Sequence, residues 1–227
     1  MATANSAINA NSGTNVELLK DGDKWIDVFQ QRGVWRLTPD IVDRWVARNP
    51  QFFGMLRRMV PQGGRTLELG CGPGRHALGA ATLGYNVVGI DVDPEIVAQA
   101  QSNCETLALT ARTRFRVGDM FQLEDIGPKR SFDAITHGGV MEHLGSAQAI
   151  RDALKDQLAF APVVIFDIPF DSPKNRALFR RDDIFRQLWT AETWIDHVLS
   201  GLPIVQTAID LHAESNMTDD LVVALAT

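Results

Sequence analysis

Three glycines, Gly70, Gly72 and Gly74, stand at alternate positions in TLELGCGPGR, Thr66–Arg75, after a short apolar run and before a helix-like stretch. Glycines so placed let the chain turn sharply and bring a ligand against bare backbone, which is the chemistry of a nucleotide-holding turn. The dinucleotide fingerprint G-x-G-x-x-G would need its third glycine at position 75, which is Arg75. Cys71 lies inside the turn. Glu68 precedes it by two residues, and a carboxylate there suits an ammonium better than a phosphate. Asp91, followed by Val92, closes the next apolar run, where an acid can accept hydrogen bonds from both ribose hydroxyls. In VGDM, Val117–Met120, Asp119 can read an adenine amino group while Met120 packs on the ring.

A second constellation is suited to proton transfer. THGGVMEHLG, Thr136–Gly145, carries His137, Glu142 and His143. An imidazole near its ordinary pKa can take a proton from a hydroxyl or a ring nitrogen. His143 and His137 are both candidates for that base, and His137 is equally a candidate for a backbone contact to the ligand. Glu142 and His143, past the strand, are placed to orient its rim. No metal is expected.

These residues need a scaffold that gathers them. The N-terminal part reads as helical: a segment over Val16–Gln31, a second opening at Thr38-Pro39, and a third after Asn49-Pro50, with Thr as cap and Pro at the first helical position. After Pro61, short apolar runs alternate with helical stretches. Arg65–Leu69, Asn86–Asp91, Arg114–Val117, Phe132–Thr136 and Val163–Ile168 read as strands, and Arg75–Leu83, Pro94–Leu107 and Ala147–Phe160 as helices. Asp93 reads as the cap of the helix opening at Pro94. A helical stretch, Thr190–Leu199, precedes Ile204–Leu211 and Leu221–Ala226, two strands with no helix between them. The pattern predicts an α/β fold: a Rossmann-like, doubly wound, mostly parallel seven-stranded sheet with an antiparallel C-terminal edge hairpin and an N-terminal helical cap. Ligand is expected at the carboxyl ends of the strands, near the switch point of strand order.

The 227 residues, 45% hydrophobic and 22% charged, fit one ordinary globular domain over residues 16–227, with 16–60 as cap and 61–227 as core. Residues 1–15, small and polar, are read as a disordered leader that resembles neither a signal peptide nor a membrane helix. A net charge of -6 argues against a nucleic-acid partner. Arg176, Arg180, Arg181 and Arg186 cluster, but Asp182 and Asp183 sit among them, as on a solvated helix face. Two cysteines, Cys71 and Cys104, form no zinc spacing and no disulfide framework, which suits a cytoplasmic location.

Two segments are placed to cover the site. In the first, Trp25 and Phe29 at i and i+4 read as core of the cap, and Trp35, beside Gly33 in a bend, as the contact to substrate. In the second, the stiff loop IPFDSPKNR after the fifth strand, Asp171 and Arg176 are the substrate candidates.

Glu68-x-Gly70-x-Gly72-x-Gly74, Asp91, Gly118-Asp119-Met120 and Phe132-Asp133-Ala134-Ile135 together resemble the ordered motifs of class I S-adenosylmethionine-dependent methyltransferases, over about Thr66–Ile168. The resemblance implies S-adenosylmethionine as cofactor, with S-adenosylhomocysteine as product. It places Gly70, Gly72 and Gly74 against the methionine part, with Glu68 supporting the turn, Asp91 on the ribose, and Asp119 with Met120 on the adenine. The [DN]-P-P-[YFW] box of the DNA amino-methylating branch is absent after the fourth strand. Glu142-His143 is similar to the metal-binding pair of some ubiquinone-pathway and small-RNA methyltransferases, but their extra Glu three residues earlier is Gly139 here, so that by this resemblance His137 would be the substitute third ligand. The expected activity is methyl transfer to an O or N atom of a small-molecule acceptor, by a monomer or homodimer. RNA or protein methylation, a non-catalytic cofactor-binding protein, and a nicotinamide or flavin oxidoreductase are the alternatives, the last opposed by Arg75 and Asp119.

Overall fold

The computed structural model describes residues 22–180, 184, 186–213 and 217–227. The expected leader, the part of the first helix before Gly22, and Arg181, Asp182 and Asp183 of the arginine cluster lie outside the described residues.

Helices α1 (Gly22–Gln31), α2 (Pro39–Arg48) and α3 (Pro50–Met59) precede the first strand. Thr38 Oγ1 accepts the Ile41 N–H at 3.4 Å, and Pro39 takes a first-turn position where its missing N–H costs nothing. Pro50 opens α3 in the same way. α3 buries Phe52, Phe53, Met55 and Leu56 and packs on the sheet through the strands at its C-terminal edge.

The sheet contains β1 (Arg65–Leu69), β2 (Asn86–Asp91), β3 (Thr113–Val117), β4 (Ala134–Gly138), β5 (Val163–Pro169), β6 (Ile204–Asp210) and β7 (Asp220–Ala226). Its order is β3-β2-β1-β4-β5-β7-β6. The first five strands are parallel, and β7 runs antiparallel between β5 and β6. Helices α4 (Arg75–Thr82), α5 (Pro94–Thr106) and α6 (Ala147–Phe160) make the crossovers; α7 (Pro173–Phe179) and α8 (Ala191–Thr193, continued by a π turn, Trp194–Val198) lead to the closing hairpin. Asp93 caps α5, its Oδ1 accepting the N–H groups of Glu95 and Ile96 at 2.8 and 3.0 Å. This is the expected Rossmann-like sheet with its antiparallel edge. Every residue of β5 is buried, as a central strand requires, whereas β6 alternates in burial as an edge does.

One strand differs from its expected limits in a way that matters for the site. Phe132–Thr136 was the expected β4, but pairing with β1 starts at Ala134 and pairing with β5 carries on to Gly138. Asp133 is spent on anchoring the strand entry: its N–H donates to Arg65 O at 2.8 Å, and its carboxylate accepts the Arg65 N–H at 2.7 Å. His137 therefore lies inside the strand. Strand alternation turns Ala134, Thr136 and Gly138 to the face covered by α4, and Ile135 and His137 to the face covered by α6.

Candidate functional site

The chain order reverses between β1 and β4, and a cavity of about 170 Å³ opens at the carboxyl ends of the strands there. Gly70, Asp91, Gly118, Gly138 and Asp167 reach it from successive parallel strands. β7 is antiparallel, so its first residue, Asp220, arrives at the same rim. Trp25 and Phe29 from α1, Arg32 just after it and Trp45 from α2 roof it.

All three turn glycines adopt positive φ, at 60°, 52° and 97° for Gly70, Gly72 and Gly74. Gly70 and Gly72 line the cavity, as do Cys71, Val92, Asp119 and Met120. Gly74 does not. A Cβ there would come within 2.9 Å of Phe115 Cζ, so this glycine serves the backbone and the packing of α4 on the sheet, which corrects its expected place against the ligand.

Asp91 is fixed before any ligand arrives. Its Oδ2 accepts the Gly72 N–H at 3.0 Å and its Oδ1 the Asp93 N–H at 3.2 Å. Burial raises its pKa, while those two N–H groups pull it back. Asp119 Oδ1 accepts the Phe121 N–H at 2.9 Å, holding the VGDM turn. Burial, helped by the Asp91 charge, pushes the Cys71 thiol well up, so it is a packing thiol and not a nucleophile.

Glu68 is 2% exposed and lines the cavity. Burial raises its pKa well above the ordinary 4.5; a bond from the Ala77 N–H opposes this, and the nearby Asp167 charge adds to it. One oxygen lies 3.9 Å from His76 Nδ1, and the other has no hydrogen-bond partner among the described residues. Glu68 thus engages α4 and its histidine. His76 in turn holds Asp167 Oδ2 at 3.0 Å through Nε2. Its ring packs so closely on β4 that a Cβ on Gly138 would fall 2.2 Å from Cε1.

Beyond β4 the wall is acidic and aromatic. Glu142 and His143 sit in a 3₁₀ turn, Met141–His143, both buried and both lining the cavity. His143 Nε2 lies 3.5 Å from Glu142 Oε1, and its ring meets Trp25 edge-on at 5.0 Å. Burial raises the Glu142 pKa from 4.5 to about 8, despite the Arg186 and Arg32 charges. Asp220 accepts the Thr218 hydroxyl at 2.9 Å and is pushed well up by burial and by Asp167.

Four sequence candidates fall elsewhere. His137 is fully buried on the α6 side, with Nε2 3.2 Å from Gln157 Oε1 and its ring stacked on Phe166 at 5.0 Å. Desolvation lowers its pKa to about 4, so it is neutral and out of reach, and neither a base nor a substitute metal ligand. Trp35 does not line the cavity; its carbonyl accepts the Asn103 side-chain N–H at 3.0 Å. Trp25 and Phe29, expected in the core of the cap, take the roof position instead. Asp171 and Arg176 pair with each other at 2.6 Å outside the cavity, the arginine half exposed.

Arg32, Arg75, His76, Asp167 and Asp220 were not singled out by the sequence. For the two aspartates a signal existed: each is an acid within or at the start of an otherwise apolar strand, VVIFDIP and DLVVALA, both almost wholly buried. A charge is tolerated in such a strand only where it meets a partner or a cavity.

Residues 66–158 match the family described as Methyltransferase domain. Among curated proteins the chain is 35% identical over 95 residues to the ubiquinone biosynthesis O-methyltransferase of Xanthomonas axonopodis pv. citri, covering 41% of this chain and 38% of that protein. It is 38% identical over 60 residues to an uncharacterized RNA methyltransferase of Parasynechococcus marenigrum, covering 26% and 13%. The matching stretch is less than half the length of either relative. In fold the chain is similar to magnesium protoporphyrin IX methyltransferase from Synechocystis PCC 6803 with bound SAH, with a TM-score of 0.64 at 18% identity over 92% of this chain and 95% of that one.

Proposed function

We propose that the chain is a class I S-adenosylmethionine-dependent methyltransferase that transfers a methyl group to an O or N atom of a small-molecule acceptor, a reading supported by the match of residues 66–158 to a methyltransferase domain. The observation that carries this is the roofed cavity. Groups suited to a nucleoside with an amino-acid tail line it together with the buried Glu142–His143 pair.

The residues fit the cofactor. Asp91, pinned by two N–H groups, presents its remaining acceptor capacity to ribose hydroxyls. Asp119 and Met120 serve the adenine, and Glu68 supports the glycine turn that lies against the amino-acid tail. When bound, the cofactor supplies an electrophilic methyl group on a sulfonium. The chain's own task is to aim the acceptor lone pair in line with the C–S bond and to keep water out. Trp25, Phe29 and Trp45 provide the dry roof. As the O–C or N–C bond forms and the C–S bond breaks, its electron pair going to sulfur, the acceptor proton passes to His143, while Glu142, protonated at neutral pH, lies 3.5 Å from its Nε2 and orients the ring.

The aromatic lining that α1 and α2 bring, Trp25, Phe29 and Trp45, also supports a small acceptor over an extended RNA strand. Calorimetry with S-adenosylhomocysteine and with NAD is the first test. Binding of the former alone supports the reading, and the reverse overturns it. Turnover on a panel of hydroxylated and amino metabolites, set against bulk RNA, then tests the acceptor class. Methylation of RNA alone would overturn the small-molecule part.

A further inference from the structure

Arg75 occupies the position where a dinucleotide fingerprint would carry glycine, and it opens α4 immediately after the turn. Its guanidinium lies 4.0 Å over the face of Trp45 and lines the cavity. Stacking of this kind uses the flat face and leaves the N–H donors at the edge unspent. Among the described residues those donors make no hydrogen bond and no contact ion pair; Asp167, Glu68 and Asp220 act on the group only as more distant charges. Arg32, at the end of α1, lines the same cavity and is near enough for its charge to oppose that of Arg75. Burial and that repulsion lower the Arg75 pKa to about 10, so the group remains charged at neutral pH. A desolvated cation beside a like charge, in the wall of a cavity and with no contact partner for its donors, is costly unless an anion completes it.

Resting on the cofactor reading above, we propose that Arg75 is the carboxylate-recognition residue of this site. The carboxylate lies in the plane of the guanidinium on its cavity side and accepts two parallel N–H bonds. A singly charged anion is indicated. Asp167, whose charge acts on Arg75, lines the same cavity, and its repulsion disfavours a doubly charged phosphate. The carboxylate has two chemical sources, the amino-acid tail of the cofactor and a carboxylate on the acceptor.

The test compares wild type, Arg75→Gln and Arg75→Lys by calorimetry, with S-adenosylhomocysteine, with methylthioadenosine, which lacks the tail, and with benzoate added to the S-adenosylhomocysteine complex. If the tail is the source, Arg75→Gln weakens S-adenosylhomocysteine by at least about tenfold while methylthioadenosine binds as before, and Arg75→Lys, which keeps the charge without the fork, recovers only part. If the acceptor is the source, S-adenosylhomocysteine affinity holds and benzoate binding disappears in Arg75→Gln. Either result supports the proposal. Unchanged S-adenosylhomocysteine affinity, with benzoate binding absent or unaltered, overturns it. So does loss of methylthioadenosine binding in Arg75→Gln, because the residue would then be shaping the turn. Failure of the wild type to bind S-adenosylhomocysteine would instead count against the cofactor reading.

Discussion

Glu142→Gln keeps the shape of a side chain in the acceptor wall and removes its ability to ionise. Glu142 is 2% exposed, one of its oxygens has no hydrogen-bond partner among the described residues, and burial lifts its pKa from 4.5 to about 8. An acid whose folded value lies above its unfolded one binds more protons in the folded state. Its contribution is therefore fully present below pH 4.5 and is lost as the pH rises toward 8. Each pH unit in that window removes about 1.4 kcal/mol. From pH 4.5 to 7 the group thus weakens folding by about 3 kcal/mol, an upper bound because water and Arg186 offset part of the ionised state's cost. The assay is urea unfolding of the ligand-free protein from about pH 5 to about pH 8.5, for wild type and variant side by side. Glu68 and Asp220, also raised, titrate in both proteins and largely cancel. The stability of the variant relative to wild type should climb with pH by at least about 1 kcal/mol and level off above about pH 8. A flat or falling difference would refute the reasoning, since Glu142 would then be hydrated and ionised at neutral pH.

Three further outcomes follow from the same geometry. His137→Gln should flatten the acid limb of stability in the same titration: the folded value of His137 is about 4 against an ordinary 6.5, so its contribution is present above pH 6.5 and lost as pH falls toward 4. Its S-adenosylhomocysteine affinity, measured by calorimetry, should stay within about twofold of wild type, because the ring faces α6 and not the cavity. Asp91→Asn should weaken S-adenosylhomocysteine by at least about tenfold and lower the unfolding free energy by about 1–3 kcal/mol, since the charge-assisted bonds from Gly72 and Asp93 weaken with it; unchanged affinity would remove its ribose role. Gly138→Ala should cost about 1–3 kcal/mol in the same unfolding assay, because the added Cβ would fall 2.2 Å from His76 Cε1 and force the ring off Asp167.

The parts of this molecule that could be read from the sequence are those decided by short-range rules. β1, β2 and α6 begin and end where apolar runs and caps place them, and Thr38-Pro39, Asn49-Pro50 and Asp93-Pro94 each open a helix. The antiparallel hairpin was legible because no helix separates its strands, and parallel neighbours need a long crossover. Cofactor-side residues were legible for a similar reason: Gly70, Asp91 and Asp119 each sit at the carboxyl end of a strand whose limits the pattern marks.

The acceptor side was not, and His137 shows why. Its role depended on where β4 stops, and that is decided by β5, which pairs with His137 and Gly138 and draws both into the sheet. A shift of two residues at a strand end exchanges a rim histidine for a core one and leaves Glu142 and His143 as the first side chains past the strand that turn to the cavity with titratable groups. The aromatic roof followed the same logic. Trp25 and Phe29 carry helical spacing whether a helix covers a core or a cavity, so periodicity could not tell the two apart; only the position of α1 over the glycine turn, with Phe29 Cζ 2.9 Å from where a Gly72 Cβ would be, makes them lining residues. Arg75 is the converse case. As a departure from the dinucleotide spacing it carried information only about what the turn was not. Its stacking on Trp45, a residue from another helix, is what turns an absent glycine into a charge in the cavity wall.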